Sequence, residues 1–153
     1  MTIRQYRAAD DPAVRRLHER VIRAAGTDPA DLPESGDIED VRGEYIDPGG
    51  EFLVAERGDR VVGMGGLRVD NEEGELHRMR VARDCQREGV GSRLLAALEE
   101  AARGRGVAHL YARTACRQDA AVAFYPANGY EQVDTETYGE YDLLVFRKDL
   151  REP

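Results

Sequence analysis

The 153-residue sequence predicts one domain, residues 1–153, built as an α/β fold on a mixed, mainly antiparallel β-sheet with helices on both faces. Three features carry that expectation. Between Phe52 and Val81 run three strand-like segments rich in Val, Leu and Met, separated by turn residues, the pattern of an antiparallel meander. From Glu75 to Thr114 a strand, a glycine-bearing turn, an amphipathic helix and a second strand follow one another, and such a crossover is parallel and right-handed. The chain then closes on two extended segments around Gly139, a final hairpin.

Taken in order, residues 2–7 alternate Ile3, Gln5 and Arg7 with Arg4 and Tyr6, a first strand. Asp10-Asp11-Pro12 starts a helix, with acids near its N-terminus and proline early. Val14, Leu17, His18, Val21 and Ile22 form its apolar stripe up to Gly26, which makes His18 a core or boundary histidine rather than a catalytic one. Residues 26–37, GTDPADLPESGD, hold the densest turn chemistry, and a short helix follows around Ile38 to Tyr45, closed by Asp47-Pro48-Gly49-Gly50. The strands beginning at Phe52 and Val61 are joined through Arg57-Gly58-Asp59-Arg60, and Asn71 to Gly74 turns the chain into the Glu75 strand. In an unbroken pleat Glu75, His77, Met79 and Val81 share one face of that strand, with Leu76, Arg78 and Arg80 on the other. The next helix turns Leu94, Leu95, Leu98, Ala101 and Ala102 inward and Arg93, Glu99, Glu100 and Arg103 outward. Gly104 and Gly106 stop it before the strand Val107 to Thr114. Asp119 is placed to cap a short helix carrying Tyr125 and Pro126, and Glu131 to Thr137 and Asp142 to Arg147 form the closing hairpin.

Composition excludes several functions. Net charge is −8, from 30 acidic against 22 basic residues, so a general nucleic-acid footprint is absent. No apolar run reaches the length of a membrane span, and the N-terminal residues lack a signal-peptide core, which points to a cytoplasmic protein away from the membrane. Cys85 and Cys116 are too few for a disulfide framework or a zinc cluster, and no metal site is read from the sequence. Lys148 is the one lysine among the 22 basic residues. Acid excess with scarce lysine suits a halophilic cytoplasm, where hydrated carboxylates keep a screened surface soluble; a GC-rich genome would explain the arginines but not the acids.

The chemistry concentrates in Gln86-Arg87-Glu88-Gly89-Val90-Gly91-Ser92. Gly89 and Gly91 allow unusual φ and close approach to the backbone, and the helix that follows opens with unpartnered N–H groups at the positive end of its dipole. The loop is therefore a candidate phosphate cradle, or else a plain strand-to-helix turn. It is neither a Gly-Lys-Ser/Thr P-loop nor a Gly-x-Gly-x-x-Gly fingerprint, because residue 94 is Leu.

Val81, then Gln86-x-x-Gly89-x-Gly91, then a Leu-rich helix resembles the acyl-CoA pyrophosphate motif of the GNAT family of N-acetyltransferases. The stretch from Ala121 through Phe124-Tyr125 to Gly129-Tyr130 resembles that family's second hallmark, and the element order fits from about Ile3 to Leu150. The resemblance implies a six- to seven-stranded sheet flanked by about four helices, with splayed central strands. It implies acetyl-CoA as acyl donor, a small-molecule or peptide amine as acceptor, and allows a homodimer. By position it puts pantetheine contacts on the backbone of Met79 and Val81. Pyrophosphate contacts fall on the backbone of Arg87, Gly89, Val90, Gly91 and Ser92, with Gln86 opening the motif as a further cofactor-binding residue. Gln118 stands where relatives often carry a CoA-contacting Asn, and Tyr125 matches the family's general acid to the leaving thiolate. Glu75 and His77 match carboxylate and histidine bases used in different branches, either acting through water. Asp28, Asp31, Glu34, Asp37 and Glu140 near the acceptor wall would suit a cationic amine. A non-catalytic acyl-CoA sensor on the same fold is the alternative, told apart by CoA binding without thiol release.

Overall fold

A computed structural model describes residues 1–24, 36–115, 119–138 and 141–151. Seven strands form one sheet in the order β1-β2-β3-β4-β5-β7-β6. They are β1 (Thr2–Gln5), β2 (Glu51–Arg57), β3 (Arg60–Asp70), β4 (Glu73–Val81), β5 (His109–Ala115), β6 (Glu131–Tyr138) and β7 (Tyr141–Asp149). Every neighbouring pair is antiparallel except β4–β5, the parallel pair that the crossover demands. The helices are α1 (Asp11–Ala24), α2 (Gly36–Glu39), α3 (Val90–Gly104) and α4 (Asp119–Ala127), with a π-helical turn at Arg42–Ile46. The expected mixed sheet is thus present, and its strand number falls at the upper end of the expected range.

Turn chemistry sets the meander. The β2–β3 turn closes on Arg57 paired with Arg60, with Gly58 at φ 62. The β3–β4 turn is tighter than Asn71–Gly74: Asp70 pairs with Glu73, leaving two residues, because Asn71 takes φ 55. Asparagine tolerates that left-handed conformation through its short polar side chain. The short helix expected over Ile38 to Tyr45 is broken into α2 and the π-helical turn.

Helix α3 lies on β2, β3 and β4, while α1 lies against β3 and β4. Glycines show which face is which. A Cβ on Gly65 would meet Leu98 of α3 and the Met79 sulfur, whereas one on Gly66 would meet Tyr45 and Phe52 on the opposite face. Val90, Leu94, Leu95, Leu98 and Ala102 are buried under α3, each leucine contributing roughly 1.5–3 kcal/mol of transfer free energy. Glu99 departs from the expected outward face: it is buried. Helical period alone cannot see why, since its partners come from distant strands. Lys148 Nζ of β7 lies 3.1 Å from Glu99 Oε2, the Tyr130 hydroxyl donates to the same oxygen at 2.8 Å, and Lys148 also donates to the Asn128 carbonyl at 3.1 Å. A buried carboxylate held by a cation and a phenol is satisfied, and it ties α3 to the chain leaving α4.

Candidate active site

The site begins with an irregularity in β4. His77 pairs with Gly66 and Arg80 with Met64, so three steps on β4 match two on β3, and Arg78 carries the extra residue at φ 57. This is a β-bulge. It reverses the alternation beyond it, and the single face expected for Glu75, His77, Met79 and Val81 is split. Glu75 and His77 stay on the α1–α2 face, where the His77 ring lies 6.1 Å from that of Tyr45. Met79 packs against Gly65, and Val81 against Gly91, on the α3 face.

The bulge is anchored by a group that a period-two reading does not see. Asp37 of α2 accepts from Arg78 Nε and Nη2, both at 3.0 Å, and from the Tyr45 hydroxyl. Burial alone would raise the Asp37 carboxyl, but the bonds from Arg78 and Tyr45 outweigh it and hold the group below its ordinary value. Its carboxylate is therefore engaged within the fold, which removes Asp37 from the acids expected to recognise a cationic amine. Asp28, Asp31, Glu34 and Glu140 lie outside the described residues, as does Gln118.

Beyond the bulge the sheet opens. The β4–β5 ladder ends at Leu76 paired with Ala112, although β4 continues to Val81 and β5 to Ala115. Ala82 N donates to Val62 O at 2.8 Å, so by alternation Arg80 also bonds toward β3. The N–H and C=O of Met79 and Val81 consequently face the open side. Two side chains reach their carbonyls: Arg80 Nη1 at 3.2 Å from Met79 O, and Gln86 Nε2 at 3.3 Å from Val81 O.

The glycine loop follows a 3-10 turn at Arg83–Cys85. Arg87 stands at φ 67 and Gly89 at φ 84, the latter as the residue before α3. Gln86, Arg87, Gly89 and Ser92 are exposed, and Val90 turns its side chain into the core. The first N–H groups of α3 lack intrahelical partners at this end. Two ion pairs, Arg57–Glu88 at 2.8 Å and Arg60–Asp84 at 2.7 Å, moor the loop to the β2–β3 turn.

Across the opening stands Tyr125. Its buried ring is stacked on Phe146 at 5.6 Å and edge-on to Phe124 and Tyr130 at 5.2 and 5.5 Å. Burial pushes its phenol up to about 12, and Arg80 opposes that rise. Pro126 sits in the last turn of α4, and the Tyr130 amide donates to the Tyr125 carbonyl at 3.0 Å as the helix ends.

On the α1–α2 face a cavity of about 510 Å³ is lined by Arg68, Glu75, His77, Tyr111 and Arg113, among others. His77 Nε2 lies 3.2 Å from Glu75 Oε1, and Arg113 Nη1 is 2.7 Å from Glu75 Oε2. The bond from His77 and the charge of Arg113 outweigh burial and hold Glu75 below the usual carboxylate value. His18 is buried on α1, and burial followed by the charges of Arg80 and Arg78 lowers it to about 4, so it is neutral at pH 7.

The profile of the Acetyltransferase (GNAT) family matches residues 12–130. The chain belongs to the GNAT family of acetyltransferases. It is 36% identical over 118 residues to the N-alpha-acetyltransferase RimI of Mycobacterium tuberculosis, covering 72% of this chain and 73% of that one. The chain spans 49 to 59% of the length of the first curated relatives it matches. An acetyltransferase of the GNAT family from Staphylococcus aureus superposes with TM-score 0.87 at 20% identity, over 97% of this chain and 98% of that one. The putative acetyltransferase yncA of Salmonella typhimurium, solved with acetyl-CoA, does so with TM-score 0.77 at 21% identity, over 100% and 95%.

The GNAT fold thus brings Met79, Val81, the glycine loop and Tyr125 around one opening, while Glu75 and His77 line the cavity on the α1–α2 face. Arg113 and the Arg78–Asp37–Tyr45 anchor were not foreseen as site residues. Their contacts join strands and helices far apart in sequence. For the anchor, Asp37→Asn should lower unfolding stability by roughly 1.5–3 kcal/mol, the worth of hydrogen bonds to a charged group. Asp37 is depressed in the folded state, so its contribution is present above the unfolded value and lost as pH falls through the folded one. Urea melts of the variant and wild type should therefore differ at pH 7 and converge in acid. A constant gap at every pH would remove the charge from the explanation.

Proposed function

We propose that this chain is an N-acetyltransferase that moves an acetyl group from acetyl-CoA to a primary amine by direct attack in a ternary complex. The observation that carries the reading is the backbone of Met79 and Val81, which has no strand partner on the β5 side and runs along the opening between the phosphate-ready loop and Tyr125. An extended pantetheine amide chain can complete those backbone bonds as a missing strand would. Arg87, Gly89, Val90, Gly91 and Ser92 then offer backbone N–H groups to the pyrophosphate.

The amine must lose a proton to attack. With His77 Nε2 turned to Glu75, Nδ1 carries the lone pair, and the imidazolium formed on protonation is offset by the Glu75 carboxylate. We therefore assign the proton to His77 through water, with Glu75, already tied to Arg113, holding the ring. As nitrogen bonds to the carbonyl carbon, the carbon–sulfur bond breaks and its electron pair leaves on sulfur. The Tyr125 hydroxyl supplies that sulfur with a proton.

A thiol-release assay with acetyl-CoA across amino acids, polyamines, aminoglycosides and peptide N-termini, at low and molar salt, tests the reading. Release with at least one amine is expected, and His77→Ala should slow it by about 10²–10⁴ with acetyl-CoA affinity unchanged. Binding of CoA without release to any acceptor would replace the enzyme by the acyl-CoA sensor.

A further inference from the structure

Arg80 is a charged side chain in the opening that the packing does not account for. It leaves β4 opposite Met64, on the α1 side, and its Nη1 turns back to the Met79 carbonyl on the unpaired edge. Its Nε is enclosed and has no hydrogen-bond partner among the described residues. A guanidinium in such a place is costly unless an anion meets it, and an apolar chain of similar length would fill the space more cheaply. Among the described residues the carboxylate that acts on Arg80, Asp37, is already engaged: it accepts twice from Arg78 and once from Tyr45. The remaining influences on Arg80 are the repelling charge of Arg78 and the phenols of Tyr125 and Tyr45, while His18 of α1 feels it as a neutral imidazole. Burial and then Arg78 lower Arg80 to about 10, so the guanidinium remains charged at neutral pH. It is also the charged group that acts on the Tyr125 phenol from across the gap.

We propose that Arg80 is the counter-charge of the CoA thiolate, standing in the β4–β5 gap so that sulfur leaves beside both a fixed cation and the Tyr125 hydroxyl. This rests on the N-acetyltransferase reading. When the carbon–sulfur bond breaks, the electron pair stays on sulfur, and Arg80 offsets that charge until the Tyr125 proton arrives. The tyrosinate left behind faces the same guanidinium and takes its proton back from water. A preorganised cation at a developing charge is the kind of group that lowers a barrier most in a site shielded from water.

The proposal can be read without knowing the acceptor. Ultraviolet difference absorbance of the thiolate, with the desulfo-CoA complex subtracted, titrates the sulfur of CoA bound to the full chain. Free CoA titrated alongside supplies the reference value. The bound thiol should lose its proton at least about one pH unit lower, as expected beside a cation. Arg80→Met should return it to the free value or above, Arg80→Lys should keep most of the shift, and desulfo-CoA affinity should be similar in all three. A wild-type complex whose thiol titrates at or above the free value overturns the proposal, as does an Arg80→Met complex that titrates like wild type. Absence of CoA binding to wild type would instead remove the N-acetyltransferase reading beneath it.

Discussion

Tyr125→Phe should slow acetyl transfer by roughly 10²–10⁴, the usual worth of a positioned general acid, while leaving acetyl-CoA affinity nearly unchanged. The substitution removes one hydroxyl and keeps the ring that stacks on Phe146 and meets Phe124 and Tyr130 edge-on. Because burial raises the phenol to about 12, it stays protonated through the ordinary working range. The variant should therefore lower the whole pH–rate profile without changing its shape below about pH 11. A tyrosine that serves packing alone gives the opposite pattern: phenylalanine keeps the ring contacts, and turnover survives. Single-turnover rates, in which chemistry is observed directly, separate the two. A variant within about threefold of wild type would pass the protonation of sulfur to water.

Gly91→Glu should cost CoA at least about a hundredfold in affinity, since it sets a carboxylate where phosphates meet the positive end of α3. Crowding adds to charge. A Cβ at Gly91 would stand 3.2 Å from Phe124 Cε1 and 3.5 Å from Val81 Cγ2, so even alanine must push the Phe124 ring by a few tenths of an ångström. Gly91→Ala is thus the control for packing, and it should bind CoA far better than the glutamate. Calorimetric titration with CoA, beside far-ultraviolet spectra of all three proteins, gives the comparison. Equal affinities for CoA in folded Gly91→Glu and wild type would take the pyrophosphate away from this loop.

What the sequence made legible follows from how local each cause is. The α3 stripe and the two meander turns depend on residues within a few positions of one another, so period and turn chemistry found them. The opening between β4 and β5 came through the family resemblance, carried by Gly89, Gly91 and Tyr125. The bulge at Arg78 was not legible, because an arginine at positive φ has no sequence signature; its bond to the Asp37 carboxylate, 41 positions away, helps to hold it there. That one hidden residue reversed the faces of Met79 and Val81. Glu99 misled for the same reason, as its cation lies 49 positions away on β7. Glu75 and His77, which precede the bulge, kept the shared face that alternation assigned them.

The Lys148–Glu99 pair has a bearing on the protein's own chemical safety. Acetyl thioesters acylate neutral lysine amines slowly without any enzyme, and a protein that concentrates such a reagent at its surface exposes itself to damage. Here the one lysine side chain has its amine directed at a buried carboxylate and a backbone carbonyl, which occupies it within the fold. The other basic side chains are guanidiniums, which stay protonated and do not attack thioesters under these conditions. A chain with this composition offers no second lysine amine to such a reagent.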